Sequence, residues 1–320
     1  MIMHPLALFA LIGGLVSANS PVSYDGYQVL RVTTGANSAA ILEKLSSIEY
    51  DEWNTVVNKH IDIAIAPNQI ERFQTLALEY HIMHENLAVS IASESATGTT
   101  WKRQIDDLEW YDSYHPYDDH KAYFEALHDA FPNNSEIVSS GTSFEGRDIF
   151  GIHFWGSGGP GKPAVLWHGD TPEMEGLHKL VDTLRDTSGL KLYIDWHSYS
   201  QYFLTPVGYN CTYYIDTLGQ HIKLAQLASD AIREVEGVTF TYGPSCATLY
   251  PTTGASFDYA YAVGKAQWSY LIELRDTGDF GFVLPPEQIR GSVTEQWEGM
   301  KVMLNVLDEV FFDGEGPAAF

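Results

Sequence analysis

The chain has 320 residues, of which 45% are hydrophobic and 19% are charged. This composition argues against an intrinsically disordered protein and is enough for a substantial core. With 18 lysines and arginines against 42 aspartates and glutamates, the formal net charge is −24. A surface this acidic repels nucleic acid and anionic membranes. We therefore expect neither as a partner, and we interpret the chain as a secreted-type enzyme or binding protein.

Residues 1–18 have the pattern of a secretory signal peptide. Leu6–Val16 is an apolar run too short to span a bilayer, and small residues follow it at Ser17 and Ala18. The basic residues that usually precede such a run are missing, so a buried N-terminal segment is the alternative. No later stretch is long and apolar enough for a membrane helix. We expect residues 1–18 to be a signal peptide and the protein to be secreted, hence extracellular.

Residues 19–90 have the pattern of a small α+β unit. Alternating and extended stretches predict four strands, and helical spacing predicts two helices. The strands fall at Tyr27–Val32, near Tyr50–Val56, at Ile61–Ala66 and at Ile82–Val89, and the helices at Ala36–Ser47 and Pro67–Tyr80. The order βαββαβ predicts a compact sandwich. The unit contains no cluster of residues that could carry chemistry.

The next stretch, residues 91–103, has the small, polar composition of a linker. It ends in the basic pair Lys102–Arg103, and proteases readily cut exposed connectors. The alternative is an ordinary loop with two charges. Together with a signal peptide and a small unit without chemistry, the pair indicates a pro-enzyme. We expect the pro-segment, residues 19–90, to be released by cleavage at this linker.

Helices and apolar runs alternate along residues 104–320. Predicted strands lie at Ile137–Ser140, Ile149–Trp155, Ala164–Trp167 (short and buried), Leu190–Asp195 and Gln267–Leu274, and predicted helices at Asp118–Phe131, Pro172–Arg185, Leu218–Glu234 and Pro286–Phe311. This order predicts an α/β domain whose mixed sheet is covered by helices on both faces. Ligand sites in such sheets lie beyond the carboxyl ends of strands. His168, His197 and Glu273 all lie at such ends.

Three residues near these ends are candidates for chemistry. His197, in "YIDWHSYSQ", ends an apolar strand and is placed to bind zinc; the alternative is a core histidine bonded to the backbone. Glu273 ends another strand and is a candidate general base on a metal-bound water, or the partner of Arg275 in a surface salt bridge. Tyr250, on a glycine-containing loop, is a candidate mobile hydrogen-bond donor or an ordinary tyrosine.

The chain has two cysteines, Cys211 and Cys246. In an oxidising compartment an even pair predicts one disulfide. The alternative is two buried thiols.

Four stretches in order, "SFEGRDI", "YIDWHSYSQYFLTPVGY", "LYPTTGASFDYAYAVG" and "IELRDTGDFGFVLP", resemble zinc metallocarboxypeptidases of the carboxypeptidase A type. The preceding unit resembles their activation peptide. The resemblance implies an α/β catalytic domain with one Zn²⁺ that removes C-terminal residues from peptides and proteins. It also implies that the protein's own pro-segment is a partner until it is cleaved.

The resemblance also implies roles for individual residues. His197 matches the family's third zinc ligand, Glu273 its general base, and Tyr250 the tyrosine that caps the bound substrate. Ser198 and Tyr199 match residues that line the substrate subsites. Phe257 falls at the floor of the specificity pocket, where an apolar residue favours hydrophobic or aromatic C-terminal side chains.

The chain departs from the family after Gly169. The family's first two zinc ligands lie in a His-x-x-Glu motif, but an ungapped alignment puts Pro172 at the histidine and Met174 at a substrate-binding arginine, and keeps only Glu175. A second alignment fits better, and in it the chain passes from Gly169 directly into a later family segment. The internal block that carries the motif is then missing near residues 169–170.

The missing motif bears directly on zinc. A catalytic zinc site needs three protein ligands, so His197 alone, or with Glu175 as a weaker candidate, holds zinc poorly. We interpret His168 and His178, the nearest other histidines, as structural. Three hypotheses follow. The chain is a carboxypeptidase of impaired activity, an inactive relative that binds peptide C-termini, or a non-functional product of splicing or of a wrongly assembled gene.

Overall fold

The computed structural model describes residues 22–54, 59–95, 105–106, 108–169 and 174–308. The predicted signal peptide, the Lys102–Arg103 pair and Pro172 lie outside the described residues. In the part that is described, no helix is long and apolar enough to cross a membrane.

Eleven strands and nine helices are assigned within the described residues. The strands are β1 (Gln28–Thr33), β2 (Asp51–Glu52), β3 (His60–Ile65), β4 (Tyr80–His84), β5 (Ser135–Thr142), β6 (Asp148–Phe154), β7 (Ala164–Gly169), β8 (Leu190–Ser198), β9 (Tyr202–Thr205), β10 (Thr241–Pro244) and β11 (Trp268–Leu274). The helices are α1 (Ser38–Leu45), α2 (Pro67–Thr75), α3 (Leu87–Ser95), α4 (Tyr117–Ala130), α5 (Met174–Asp186), α6 (Leu218–Glu236), α7 (Ser245–Thr248), α8 (Ser256–Ala262) and α9 (Ile289–Asp308).

The N-terminal unit is a four-stranded sheet in the order β2-β3-β1-β4, in which each strand runs antiparallel to its neighbours. One face packs against α1 and α2, where Leu30, Ile63 and Phe73 are each almost fully buried. The alternation of apolar residues along β1 and β3 produces this buried face. The two predicted helices and the strands around them are present, although α2 ends at Thr75 and not at Tyr80.

The prediction of an extended stretch to Val89 followed by a linker from residue 91 was wrong. Leu87–Ser95 is helix α3. Leu87 and Ile91 are spaced four apart, which places them on one side of a helix, and both pack against the second face of the sheet beside Val29 and Ala64. Burial of these two side chains outweighs the polar composition of the segment.

The larger unit is built on a five-stranded mixed sheet in the order β10-β9-β11-β8-β7. β7, β8 and β11 run parallel, and β9 runs antiparallel to β11. Helices α6 and α9 cover one face, over a core that includes Trp268 and Tyr270, and α5 and α8 cover the other, over Tyr193 and Leu271. The predicted mixed sheet with helices on both faces is therefore confirmed.

Strand β7 was predicted to be buried, and it is not. It lies at the edge of the five-stranded sheet, and among the described residues no strand pairs with its outer side. Its residues alternate in exposure, with Val165 at 39% and Trp167 at 44%. An apolar run is compatible with a buried strand, but the elements that pack beside the strand determine whether it is buried.

The hairpin β5–β6 forms a separate two-stranded sheet. It packs against α4 and also meets the first turn of α5. There Gly176 approaches the backbone so closely that an added Cβ would lie 2.3 Å from the carbonyl oxygen of Ser140. Glycine alone permits this contact, because the obstacle is backbone and cannot rotate away.

Arg275 and Glu295 fix α9 to the end of β11. Both side chains are buried, and the Arg275 guanidinium donates to the Glu295 carboxylate at 2.8 Å and to that of Glu236, on α6, at 2.7 Å. Breaking such a buried pair leaves an uncompensated charge and costs several kcal/mol.

His221 is a buried histidine on α6, packed against Trp268 and Tyr270. Its Nδ1 lies 3.1 Å from the carbonyl oxygen of Thr217, and its Nε2 accepts the backbone N–H of Ser269 at 3.4 Å. This pattern requires a neutral ring, and burial lowers the pKa of His221 to about 4.

We expect His221 to make the protein less stable in mild acid. The unfolded chain takes up a proton on this side chain near pH 6.5 and the folded chain only near pH 4, so lowering the pH through this range favours unfolding. The contribution is about 3 kcal/mol. Urea unfolding of the His221→Asn variant should show a smaller loss of stability between pH 6.5 and 4. His81→Asn, at an exposed position of β4, is the matched control. Equal slopes in all three proteins would contradict the assignment.

Candidate active site

The parallel pairing of β8 with β11 places two predicted site residues side by side. In this register His197 is the direct neighbour of Glu273 at the carboxyl ends of the two strands. The antiparallel strand β9 places Tyr202 on the other side of Glu273. Glu273 is only 9% exposed. Three neighbouring strands therefore converge on one buried carboxylate.

Asp195, on the same strand as His197, is the electrostatic centre of the site. It is buried; His168 Nδ1 lies 3.2 Å from its Oδ1, and His197 Nε2 lies 3.3 Å from its Oδ2. The Ser256 hydroxyl donates to Oδ2 as well. Burial opposes ionisation of Asp195, but the hydrogen bonds from His168, His197 and Ser256 outweigh burial and hold the pKa of the carboxyl below its usual value.

A cavity of about 230 Å³ brings together four of the predicted residues: His197, Tyr250, Phe257 and Glu273. Asp195 and Ser256 also line it, and Leu204 and Leu271 add apolar wall. Phe257 is almost completely buried, as a residue at the bottom of a pocket should be. The four residues to which the resemblance assigned roles are therefore neighbours in one cavity.

Ser198 and Tyr199 line a second, larger cavity of about 550 Å³, which also contains Tyr250 and Glu273. Its far side is formed by the N-terminal unit, including Trp53 and His60. Tyr250 and Glu273 line both cavities, so they lie where the two meet.

The N-terminal unit is held over this second cavity by specific contacts. The Tyr199 hydroxyl donates to the carbonyl oxygen of Trp53 at 3.0 Å, and burial raises the pKa of Tyr199. Arg31, whose guanidinium is paired within its own unit with Asp62 at 2.7 Å, donates across to the carbonyl oxygen of Gly278. In addition, the Trp53 ring lies edge-on to Phe282, with centroids 5.6 Å apart.

The other candidate metal ligands do not join the site. Glu175 lies on the first turn of α5, is highly exposed, and accepts a hydrogen bond from Lys179 at 2.7 Å. That hydrogen bond lowers the pKa of Glu175. His178, on the same helix, stacks on Tyr259 with ring centroids 3.9 Å apart.

The residues that the structure describes do not fit a catalytic zinc. Among them, no three histidine, cysteine, aspartate or glutamate side chains are arranged to hold a metal. The Nε2 of His197 faces Asp195. The Nε2 of His168 is buried and has no hydrogen-bond partner among the described residues, but one nitrogen does not supply the three protein ligands that such a zinc requires.

Cys211 and Cys246 are joined in a disulfide. It ties the loop that precedes α6 to α7, four residues before Tyr250. The predicted pairing is therefore present beside the site.

Sequence reasoning missed Asp195 and Ser256. One signal was available, since residues two apart on a strand share a face, so Asp195 had to point the same way as His197. Ser256 offered no comparable signal, because its position depends on how α8 packs on the sheet.

We expect Asp195→Asn to lower the free energy of unfolding by about 3 kcal/mol, because a buried carboxylate that is hydrogen-bonded to His168 and Ser256 and lies 3.3 Å from His197 is replaced by a neutral amide with donors of its own. Urea unfolding at pH 7 measures the change. Asp216→Asn, at an exposed aspartate, is the matched control and should change stability by less than about 0.5 kcal/mol. Equal effects of the two substitutions would show that the network around Asp195 contributes nothing.

Comparison with known proteins identifies relatives of this architecture. Residues 167–299 match the Peptidase_M14 family, zinc carboxypeptidase. The chain is 30% identical to a metallocarboxypeptidase A-like protein of Trichophyton verrucosum, over 94% of this chain and 97% of that protein. Among solved structures, carboxypeptidase A from Helicoverpa armigera has a TM-score of 0.73 at 18% identity, covering 89% of this chain and 98% of its own. Thrombin activatable fibrinolysis inhibitor has 0.78 at 15%, covering 88% and 99%. These two share the fold.

The alignment with the Trichophyton protein is longer than the chain itself. It runs over 414 positions, and 94% of 320 residues is about 300, so more than 100 positions have no counterpart in this chain. A chain that matches nearly the whole of a longer relative in this way is in keeping with a missing internal block. With its fold, its matched segment and this full-length similarity, the chain belongs to the zinc carboxypeptidases, as a metallocarboxypeptidase of the Peptidase_M14 family.

Proposed function

We propose that this protein is a secreted member of the family that binds peptide C-termini in its cleft and hydrolyses them poorly. One observation carries the proposal. The predicted site residues His197, Tyr250, Phe257 and Glu273 share one cavity, whereas the described residues do not assemble a metal site.

The cavity supports a preference for hydrophobic or aromatic C-terminal residues. Phe257, Leu204 and Leu271 form its apolar wall, and burying an aromatic side chain there removes its surface from water. Asp195 is a carboxylate in the same cavity, but its contacts with His168, His197 and Ser256 engage both of its oxygens. A basic C-terminal side chain of the peptide would have to displace these contacts to pair with Asp195.

The remaining residues have roles that follow from their positions. Tyr250 lies where the two cavities meet, so its hydroxyl can donate a hydrogen bond to the end of a bound peptide. Ser198 and Tyr199 contact residues further from the C-terminus. Glu273 is a suitable general base, but in this family the zinc acidifies the water that such a base deprotonates. A chain that binds zinc weakly therefore keeps the general base Glu273 but lacks the acidified water that this base would deprotonate.

We further propose that residues 19–90 act as a pro-segment. The hydrogen bonds from Tyr199 to Trp53 and from Arg31 to Gly278 hold this unit over the larger cavity, where it obstructs access to Glu273. Cleavage at Lys102–Arg103 would release it. The signal peptide at residues 1–18 and the disulfide both suit an exported protein.

Two alternatives are separated from this proposal by direct observations. If the sequence results from wrong splicing or gene assembly, we expect the transcript to carry an extra in-frame block between the codons for Trp167 and Thr171. An active zinc carboxypeptidase predicts stoichiometric metal. Reading the transcript across this point tests the first, and the following experiment tests the second.

We expect the purified protein to retain well under one zinc per chain after dialysis, measured by atomic emission. We also expect its rate on a blocked dipeptide ending in phenylalanine to equal that of the Glu273→Gln variant, because the glutamate has no acidified water to deprotonate. One zinc per chain, with turnover lost on Glu273→Gln, would overturn the proposal that hydrolysis is impaired.

Binding of peptide C-termini is tested separately from hydrolysis. By calorimetry, a peptide ending in phenylalanine should bind at least about tenfold more tightly than one ending in arginine, as pocket complementarity of 1–3 kcal/mol allows. Limited trypsin cleavage should raise the affinity by releasing the N-terminal unit. Tyr250→Phe should weaken binding several-fold, whereas the control Tyr213→Phe, at an exposed tyrosine away from the cavity, should not. Equal binding of both peptides would refute the assigned specificity.

A further inference from the structure

An apolar groove beside the edge strand β7 takes no part in the site described above. It has a volume of about 260 Å³ and lies between β7, the neighbouring strand β8 and helix α9. Trp167 and Trp196 meet edge to face at one side, with centroids 6.4 Å apart, and Trp297 of α9 forms the other. Trp167 and Trp297 are about half exposed. Large aromatic side chains left open to water in one place indicate an interaction surface.

The groove also contains a buried polar group without a partner. The Gln296 side chain is only 6% exposed, and both its amide nitrogen and its amide oxygen lack hydrogen-bond partners among the described residues. A buried amide that satisfies neither its donors nor its acceptor costs several kcal/mol. Both amide atoms lie beneath the surface, so a partner in the groove can pair with them only if the Gln296 side chain turns outward.

The charge distribution favours a second copy of this chain as that partner. The chain carries a net charge of −24, so most of its surface repels another copy. The six residues of β7 and the residues that line the groove include no aspartate, glutamate, lysine or arginine. Edge strands are usually protected by charges or proline, and β7 has neither.

Strand β7 can also pair with the same strand of a second copy. We propose that two copies of the protein associate through β7 in an antiparallel, two-fold symmetric pair centred at Leu166, which joins their sheets. In this register Val165 lies opposite Trp167 of the other copy, on the exposed face of each strand. A β-branched residue opposite an aromatic one is a favourable cross-strand pair, and an isologous contact of this kind closes at a dimer. The association requires neither zinc nor peptide hydrolysis.

Analytical ultracentrifugation of the full chain at micromolar concentrations tests the proposal. We expect a dimer, with at least tenfold weaker association for Val165→Lys, which places a charge on the strand edge. Val89→Lys, at an exposed valine of α3, is the matched control and should remain dimeric. Hydrogen exchange should show the backbone amides of residues 164–169 better protected in the dimer than in Val165→Lys.

Three results would overturn the proposal. The first is a monomer at every concentration. The second is association that Val165→Lys leaves unchanged. The third is a monomer that dimerises only after residues 309–320 are deleted, because the chain's own C-terminal segment would then be the occupant of the groove. Circular dichroism of each variant confirms that loss of association does not reflect unfolding.

Discussion

The parallel pairing of β8 with β11 is the constraint on which the site depends. It sets His197 against Glu273 and, because both strands are buried on both faces, gives neither room to shift. A slip of one residue would turn every side chain of a strand to the opposite face of the sheet. The cavity, the packing of α8 and the placement of Tyr250 are consistent only with this register.

Asp195 connects the polar side chains at the carboxyl ends of these strands. In a metal centre, histidines converge on a cation; here two histidines converge on an anion, which also accepts a hydrogen bond from the Ser256 hydroxyl. This arrangement gives both oxygens of the buried Asp195 carboxylate a partner and ties the carboxyl ends of β7 and β8 to each other. A folded, ordered cleft is therefore compatible with the weak zinc binding proposed above.

The sequence predicted the elements whose burial follows from their own pattern and missed those decided by neighbours. The apolar runs of β8 and β11 and the long periodic helices α6 and α9 were found, and with them His197 and Glu273. The short strand β9 and helix α8 were missed, since four to seven residues carry little periodic signal. The predictions for the segment that forms helix α3 and for the burial of β7 were wrong for the same physical reason. Whether Leu87 and Trp167 are covered depends on elements that lie far away in the sequence.

The contact of Gly176 with Ser140 has a consequence for how sequence varies in this protein. The separate hairpin β5–β6 meets α5 there through backbone, so no choice of side chains at other positions can compensate for a Cβ at residue 176. Gly156, where an added Cβ would meet nothing within 4 Å, faces no such restriction. In a library of random substitutions selected only for folding, residue 176 should remain glycine while residue 156 varies freely.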